Sequence, residues 1–102
     1  MSGFVLDTGA RTTHAEFAGR VGQSVNFVEC SGDGSGAMKD DSGHGTHVSG
    51  TVLGTTSGVA KCASLHPVRV LDGNGQGKSS SIVEALDWIA ELVLQNGNRK
   101  IV

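Results

Sequence analysis

A histidine between two glycines is the first candidate for chemistry in this sequence. His44 follows Gly43 and precedes Gly45, at the point where apolar residues begin to recur at helical spacing. The N-terminus of such a helix would expose the imidazole, and the helix dipole would disfavour its protonation. A general base must be accessible and uncharged, so His44 is a candidate for that role. His47, one turn further along, is predicted to be a hydrogen-bonded structural histidine.

An aspartate at the end of an apolar run is the second candidate. Asp7 directly follows Phe4-Val5-Leu6, which we interpret as a buried strand. In α/β folds, ligands and catalytic groups lie beyond the carboxyl ends of the strands. Asp7-Thr8-Gly9 also resembles the catalytic loop of aspartic proteases, including the homodimeric retroviral kind, whose length this chain would suit. Taken alone, the tripeptide favours a structural Asx-turn over either catalytic interpretation.

The two cysteines leave their chemistry open. Cys30 and Cys62 could form one disulfide or remain free thiols, and two cysteines do not define a cellular compartment. A zinc site that joined them to His44 and His47 would lack the closely spaced cysteine pairs of structural zinc motifs. We therefore expect no metal site on this chain and assign the cysteines no role.

Alternating strands and helices are predicted to position these residues. Three strands are predicted, at Phe4–Leu6, around Val25, Phe27 and Val28, and over Leu65–Leu71, where Pro67 suggests an irregular start. Residues 31–43 are predicted to be a loop, and residues 72–77 (DGNGQG) a glycine-rich turn. Ile101-Val102 has the character of the first residues of another strand.

Two helices are predicted between the strands. The first begins at His44 and has apolar residues at Val48, Val52 and Leu53, with Asp40, Asp41 and Ser42 as cap candidates. The second has an apolar stripe at Ile82, Leu86, Ile89 and Val93, a capping box at Ser81 and Glu84, and a stop at Asn96-Gly97. This order of elements predicts an α/β fold, with a partial doubly wound, mostly parallel sheet flanked by helices.

The composition is that of one small globular domain. The 102 residues carry 8 Lys+Arg against 10 Asp+Glu, and a net charge of −2 argues against a nucleic-acid partner. No apolar run reaches the ~18 residues of a membrane span, so no membrane partner is expected, and no signal peptide is visible. The 16 glycines predict tight turns and close backbone approaches. Because strands are predicted at both ends, residues 1–102 are expected to be a fragment of one domain.

Together, the motifs resemble those of the subtilisin-like serine peptidases (subtilases, peptidase family S8). Residues 43–51 (GHGTHVSGT) are similar to the histidine motif of that family, and residues 5–20 (VLDTGARTTHAEFAGR) to its aspartate motif. Residues 58–77 and the helix after them extend the resemblance over nearly the whole chain. The short stretch Gly54–Gly58 has no room for the calcium-binding loop of many subtilisins, so the chain is more similar to the proteinase K-like group.

The resemblance implies the roles of a serine endopeptidase. Asp7 would be the triad aspartate that orients the imidazole, and His44 the triad histidine that moves protons to and from a serine. Leu71 would line the S2 pocket, and Gly75-Gln76-Gly77 would pair with an extended polypeptide substrate. The other polar residues of the aspartate motif would be structural: Arg11, His14, Glu16 and Arg20.

The resemblance also implies features outside this chain. These are secretion, a removable propeptide, calcium in the full-length enzyme with no cofactor on this chain, and a missing C-terminal part of the same domain. The serine motif of the family, of the Gly-Thr-Ser-Met-Ala type, does not occur in these 102 residues, and Ser79-Ser80-Ser81 is interpreted as a helix cap. Asn96 and Asn98 follow a helix and do not match the oxyanion asparagine. We therefore expect the isolated chain to be inactive.

Two alternatives remain open. The first is a non-catalytic subtilase remnant or peptide-binding module that keeps the topology of the family. The second is the retropepsin-like aspartic protease suggested by Asp7-Thr8-Gly9, whose nearly all-β fold leaves no place for the predicted helix over 81–94.

Overall fold

A three-stranded parallel sheet lies at the centre of the computed structural model, which describes residues 1–28 and 35–96. Its strands are β1 (Ser2–Asp7), β2 (Val25–Asn26) and β3 (Ser64–Arg69), in the spatial order β1-β3-β2. The strands β1 and β3 pair along their whole length, whereas β2 pairs with only the last two residues of β3. The carboxyl ends of all three strands therefore meet at one edge of the sheet, where Asp7 lies.

One long helix covers each face of the sheet. α1 (His44–Leu53) packs on the face that includes Val5 and Leu65, whereas α2 (Ser79–Asn96) packs on the face that includes Val68. Two short 3₁₀ helices, Ala15–Phe17 and Ser35–Met38, lie in the connections. The predicted α/β fold with a parallel, doubly wound sheet is confirmed, and the nearly all-β aspartic protease alternative is wrong.

Side chains that alternate in direction along β1 contribute to the apolar clusters on both faces of the sheet. Val5 belongs to the cluster under α1, together with Phe17 and Leu53, which are almost fully buried. Its neighbours Phe4 and Leu6 point to the opposite cluster under α2. Both faces of the sheet are therefore apolar, as a sheet between two helix layers requires.

Pro67 lies in the middle of regular β3, so the predicted irregular start of this strand is wrong. Pro67 pairs in register with Val5. The amide of Leu65 donates to the carbonyl of Arg20 on the β2 side, and position 67 faces the same side because strand amides alternate. Opposite Pro67, residues 22–24 are not part of β2, so the missing proline N–H coincides with a gap in the ladder between the Val21–Leu65 bridge and Val25.

The face that α2 buries differs from the predicted stripe. Ala85 is fully buried, Leu92 is 9% exposed, and Trp88 and Ile89 pack against the same cluster. Of the predicted stripe, Ile82 and Leu86 are exposed. The prediction counted only bulky side chains, whereas the buried face of α2 includes the small Ala85.

Other boundaries also differ from the predictions. α2 begins at Ser79, so Ser81 lies inside the helix, where its hydroxyl is 3.5 Å from the carbonyl oxygen of Phe27, and the Ser81–Glu84 capping box is wrong. β2 ends at Asn26, before Phe27 and Val28. Part of the predicted loop forms the Ser35–Met38 helix. Predictions for Cys30, Gly97, Asn98 and Ile101-Val102 lie outside the described residues, as do residues 29–34. In the described parts, no helix is both long and apolar enough to cross a membrane.

Candidate active site

The carboxylate of Asp7 and the imidazole of His44 are in direct contact. Nδ1 of His44 lies 2.8 Å from Oδ1 and 2.9 Å from Oδ2 of Asp7, although 37 positions separate the two residues. Asp7 is at the carboxyl end of β1, and His44 is the first residue of α1. The sheet edge and the helix N-terminus therefore bring together two residues that the sequence analysis singled out separately.

Main-chain hydrogen bonds hold Asp7 in place. The Thr8 amide donates to its Oδ1 at 2.7 Å, and the amides of Val70 and Leu71 donate to its carbonyl oxygen at 3.0 and 3.1 Å. Asp7 is 7% exposed. The end of β3 thus fixes the main chain of Asp7, and the amide of the following residue orients its carboxylate.

The imidazole of His44 is accessible, as the sequence predicted, and its side chain is 67% exposed. The pKa of His44, however, is raised. The main cause is the hydrogen bond that Nδ1 donates to Asp7, followed by the charge of Asp7; desolvation opposes these effects, and the charge of Asp40 adds a smaller one. The prediction that the helix N-terminus disfavours protonation is therefore wrong in its net direction. A carboxylate in direct contact acts on the ring more strongly than the partial charge of a helix end.

Glycine allows α1 to approach the turn after β1. A Cβ at Gly45 would lie 2.0 Å from the carbonyl oxygen of Gly9, which is closer than any real contact. Gly9 itself has a φ of 100°, a conformation that favours glycine. Only a residue without a side chain at position 45 therefore permits the observed distance between Asp7 and His44.

A second carboxylate, which the sequence analysis considered only as a helix cap, lies beside the pair. Asp40 accepts hydrogen bonds from the hydroxyl of Thr8 and from the amide and hydroxyl of Thr46. The N-cap residue itself is Gly43, which has a φ of 90° and no side-chain cap. The roles of Thr8 and Thr46 were missed, although an aspartate four positions before His44 and a threonine two positions after it are a visible signal.

His47 lies on the surface of α1. Its side chain is exposed, and in the parts of the chain that the structure describes its ring has no hydrogen-bond partner. The predicted structural role is therefore wrong. Cys62 is an exposed free thiol. Within residues 1–28 and 35–96, no three or more His, Cys, Asp or Glu side chains are grouped so that they could hold a metal ion.

Three of the four predicted substrate-binding residues, Gly75, Gln76 and Gly77, lie in a turn that begins directly after the fourth, Leu71. Asp72 closes the turn: its amide donates to the Gln76 carbonyl at 2.7 Å, and its Oδ1 accepts from the Asn74 and Gln76 amides. Gly75, with a φ of 78°, is exposed. A Cβ at Gly73 would lie 3.4 Å from the Asp41 Cβ, so the turn lies against the segment that precedes His44.

Gln76 and Gly77 line a groove of about 670 Å³ between the end of β2 and the start of α2. Leu71, by contrast, is half-buried and packs against the cluster under α2. Asp7 and His44 are not among the described residues that line the groove. The structure thus places Asp7 and His44 together, and the turn 72–77 on a neighbouring part of the same sheet edge.

Comparisons with known proteins agree with this architecture. A profile of the subtilase family matches residues 4–102. The extracellular serine proteinase of Thermus sp. strain Rt41A is 49% identical over 88 residues, which cover 86% of this chain and 20% of that protein. Proteinase T of Parengyodontium album is 48% identical over 88 residues, which cover 86% of this chain and 28% of that protein. The chain therefore belongs to the subtilase family of serine peptidases.

Solved structures show the same fold. A cold-adapted subtilisin-like serine proteinase superposes with a TM-score of 0.78 at 38% identity, over 98% of this chain and 34% of its own. Sphericase superposes with a TM-score of 0.86 at 33% identity, over 94% of this chain and 33% of its own. The chain thus spans about a fifth to a third of the length of these relatives. The predicted subtilisin-like family and its proteinase K-like, serine protease character are confirmed.

Proposed function

We propose that residues 1–102 are the part of a serine endopeptidase catalytic domain that supplies the aspartate and the histidine of its triad. The observation that carries this proposal is the contact between the buried Asp7 carboxylate and Nδ1 of the exposed His44. A carboxylate on Nδ1 fixes the tautomer in which Nε2 carries the lone pair. Within the described residues Nε2 has no partner, so it is free to accept a proton from a nucleophile.

The chemistry follows from that geometry. Nε2 of His44 would take the proton of a serine hydroxyl as the serine attacks a peptide carbonyl, and would return it to the leaving amine. Asp7 would stabilise the imidazolium between those two transfers, which agrees with the raised pKa of His44. The serine and the oxyanion donor would come from elsewhere in the catalytic domain, so the chain of 102 residues is expected to be inactive alone.

The substrate would be a polypeptide, because the family consists of peptidases. An extended peptide would lie along Gly75-Gln76-Gly77, where the exposed backbone can pair with it as an added strand. Leu71, directly before the turn, would contribute to the neighbouring apolar pocket. One relative is named an extracellular serine proteinase, which supports secretion of this protein as well. A removable propeptide is proposed from the family resemblance alone.

A chimera tests the proposal. Residues 4–102 would replace the matching segment of the Thermus proteinase, which would supply the serine. We expect the chimera to hydrolyse peptides and His44→Ala to reduce kcat by about 10⁶-fold, the magnitude known for the triad histidine of subtilisin itself. His47→Ala, three residues along the same helix, is the matched control and should retain activity.

Two outcomes would contradict the proposal. Full activity of the His44→Ala chimera would exclude His44 as the general base. The expected inactivity of the 102-residue chain would be contradicted if the unmodified chain hydrolysed peptides and if Asp7→Ala or His44→Ala abolished that hydrolysis. A folded but inactive chimera, together with binding of a non-cleavable peptide to the chain in isothermal titration, would favour the peptide-binding module instead.

A further inference from the structure

The Asp40 carboxylate accepts more hydrogen bonds than are needed to cap the N-terminus of α1. Its Oδ1 accepts from the hydroxyl of Thr8 at 2.7 Å and from the amides of Gly43 and Ser42 at 2.9 and 3.2 Å. Its Oδ2 accepts from the amide and the hydroxyl of Thr46 at 2.8 and 2.6 Å. These five bonds join three segments: the turn after β1, the loop before α1 and the first turn of α1.

The partners of Asp40 flank both members of the Asp7–His44 pair. Thr8 directly follows Asp7, and Thr46 is two residues after His44. The hydroxyl of Thr8 also accepts from the amide of Gly45 at 2.9 Å, so it is bonded to α1 twice, once directly and once through Asp40. Movement of either segment relative to the other would break these bonds.

We infer that Asp40 is a positioning residue, which holds the turn of Asp7 against the first turn of α1 and thereby sets the contact between Asp7 and His44. This inference deepens the proposed function and rests on it. A cap alone would explain the bonds to the amides of Gly43 and Thr46, but not the bond to Thr8, which belongs to a different element.

The charge of Asp40 also supports this role. Burial favours its neutral form, but the hydrogen bonds from Thr46 and Thr8 outweigh burial and lower the pKa of Asp40, so the group is ionised at neutral pH. Its negative charge, together with that of Asp7, contributes to the raised pKa of His44. Asp40 thus acts on the imidazole through the geometry of its neighbours and through its field.

The test compares Asp40→Asn with Asp41→Asn in the 102-residue chain. Both variants remove one negative charge before α1, but Asp41 is exposed and makes none of the bonds described here. The readouts are the Nδ1 proton resonance of His44 in NMR, the pKa of its imidazole, and amide exchange. In Asp40→Asn, we expect the Nδ1 resonance to broaden, the pKa to fall, and exchange at Thr46 to rise roughly tenfold, as loss of one hydrogen bond predicts.

Two variants at Thr8 keep the inference testable if Asp40→Asn does not fold. Thr8→Val removes the hydroxyl that joins Asp40 to Gly45, and should broaden the Nδ1 resonance as Asp40→Asn does. Thr8→Ser keeps the hydroxyl and should restore the resonance. Equal spectra of His44 in the wild type, Asp40→Asn and Thr8→Val would overturn the inference, as would equal effects of Asp40→Asn and Asp41→Asn.

These results are independent of the chimera. An inactive chimera with a responsive His44 resonance would contradict the proposed function but leave the positioning contact in place. An active chimera with an unresponsive resonance would contradict the positioning role alone.

Discussion

The two ends of α1 are both held by a carboxylate, but the two carboxylates have different surroundings. At the N-terminal end, the half-buried Asp40 bonds to the first turn of the helix and to the turn after β1. At the C-terminal end, Glu16, which is also half-buried, accepts from the amides and hydroxyls of Thr56 and Ser57. Similar hydrogen bonding therefore serves two purposes: the first connects the elements of the candidate active site, and the second fixes a surface loop.

Arg20 adds hydrogen bonds near the C-terminal end of α1, and none of them reaches Asp7 or His44. Its guanidinium donates to the carbonyl oxygens of Ala63 and Glu16, each at 2.7 Å, and to the hydroxyl of Thr55 at 2.9 Å. Loss of a bond here should change stability but leave His44 unaffected. Loss of a bond at the N-terminal end should change both.

The largest effect is expected for Gly45→Ala. The added Cβ would lie 2.0 Å from the carbonyl oxygen of Gly9, so α1 must move away from the turn of Asp7. Overpacking of this kind costs about 3 kcal/mol. Chemical denaturation measures the loss, and NMR should show that the contact between Asp7 and His44 is broken.

Gly50→Ala in the same helix is the matched control. A Cβ at Gly50 meets nothing within 4 Å, so the variant should gain about 0.5–1 kcal/mol from helix propensity. If both substitutions destabilised the fold equally, the close approach of Gly45 to the carbonyl oxygen of Gly9 would not be what determines the position of α1.

The next largest effect is a change in the pH dependence of thermal stability, expected for Glu16→Gln at acid pH. Hydrogen bonds from the hydroxyl and then the amide of Thr56 lower the pKa of Glu16 from 4.5 to about 2. A depressed pKa in the folded state stabilises the fold above pH 4.5, and this contribution is lost as the pH falls towards about 2. Thermal unfolding between these pH values should therefore depend less on pH in Glu16→Gln, whereas Glu91→Gln on α2 should behave like the wild type. The imidazole resonances of His44 should not change in either variant.

A smaller effect on the pH dependence of thermal stability is expected for His44→Gln near neutral pH. Its sign is opposite, because the contribution of His44 is lost as the pH rises. Asp7 raises the pKa of His44 above its ordinary value of 6.5, first through the hydrogen bond and then through charge. The stabilisation is therefore complete below pH 6.5 and is lost as the pH rises through the higher pKa of the folded state. His44→Gln should lack this loss of thermal stability with rising pH, and His47→Gln should retain it. A pH dependence unchanged by His44→Gln would mean that the contact does not stabilise the fold.

The smallest effect is expected for Thr55→Ala. Its hydroxyl donates to the Glu16 carbonyl at 3.0 Å, and that carbonyl also accepts from Arg20 and from the Thr55 amide. Because other donors to this carbonyl remain, the free energy of unfolding measured by denaturant should fall by about 0.5–1 kcal/mol. A loss as large as that of Gly45→Ala would show that this end of α1 is no less sensitive than the other.

The sequence predicted those features that depend on motifs and on the run of apolar residues. The strands, the start of α1 at His44 and the turn over residues 72–77 follow from local patterns. The face of α2 could not be predicted from bulky residues alone, because the small Ala85 is a fully buried residue of that face. The place of Pro67 in β3 depended on a gap in the neighbouring strand, which a single segment does not reveal.

The site was predicted less completely than the fold. Asp7 and His44 were singled out by their motifs, and their catalytic roles stay predictions, but the direction of the pKa shift of His44 required the distance to Asp7. The bonds of Thr8 and Thr46 to Asp40 connect residues 32 and 6 positions apart, so they appear only once the chain is folded. The exposure of His47 depended on which side of α1 faces the sheet.

The register between β1 and β3 has a consequence for the order of events during synthesis. Asp7 leaves the ribosome before His44, but its strand lacks its partner β3 until Ser64–Arg69 have been made. Parallel pairing between segments so far apart in the chain is slow to form. A nascent chain that already contains both Asp7 and His44 therefore lacks the β1–β3 pairing that holds Asp7 in place, and we expect the contact between Asp7 and His44 to form only when β3 enters the sheet.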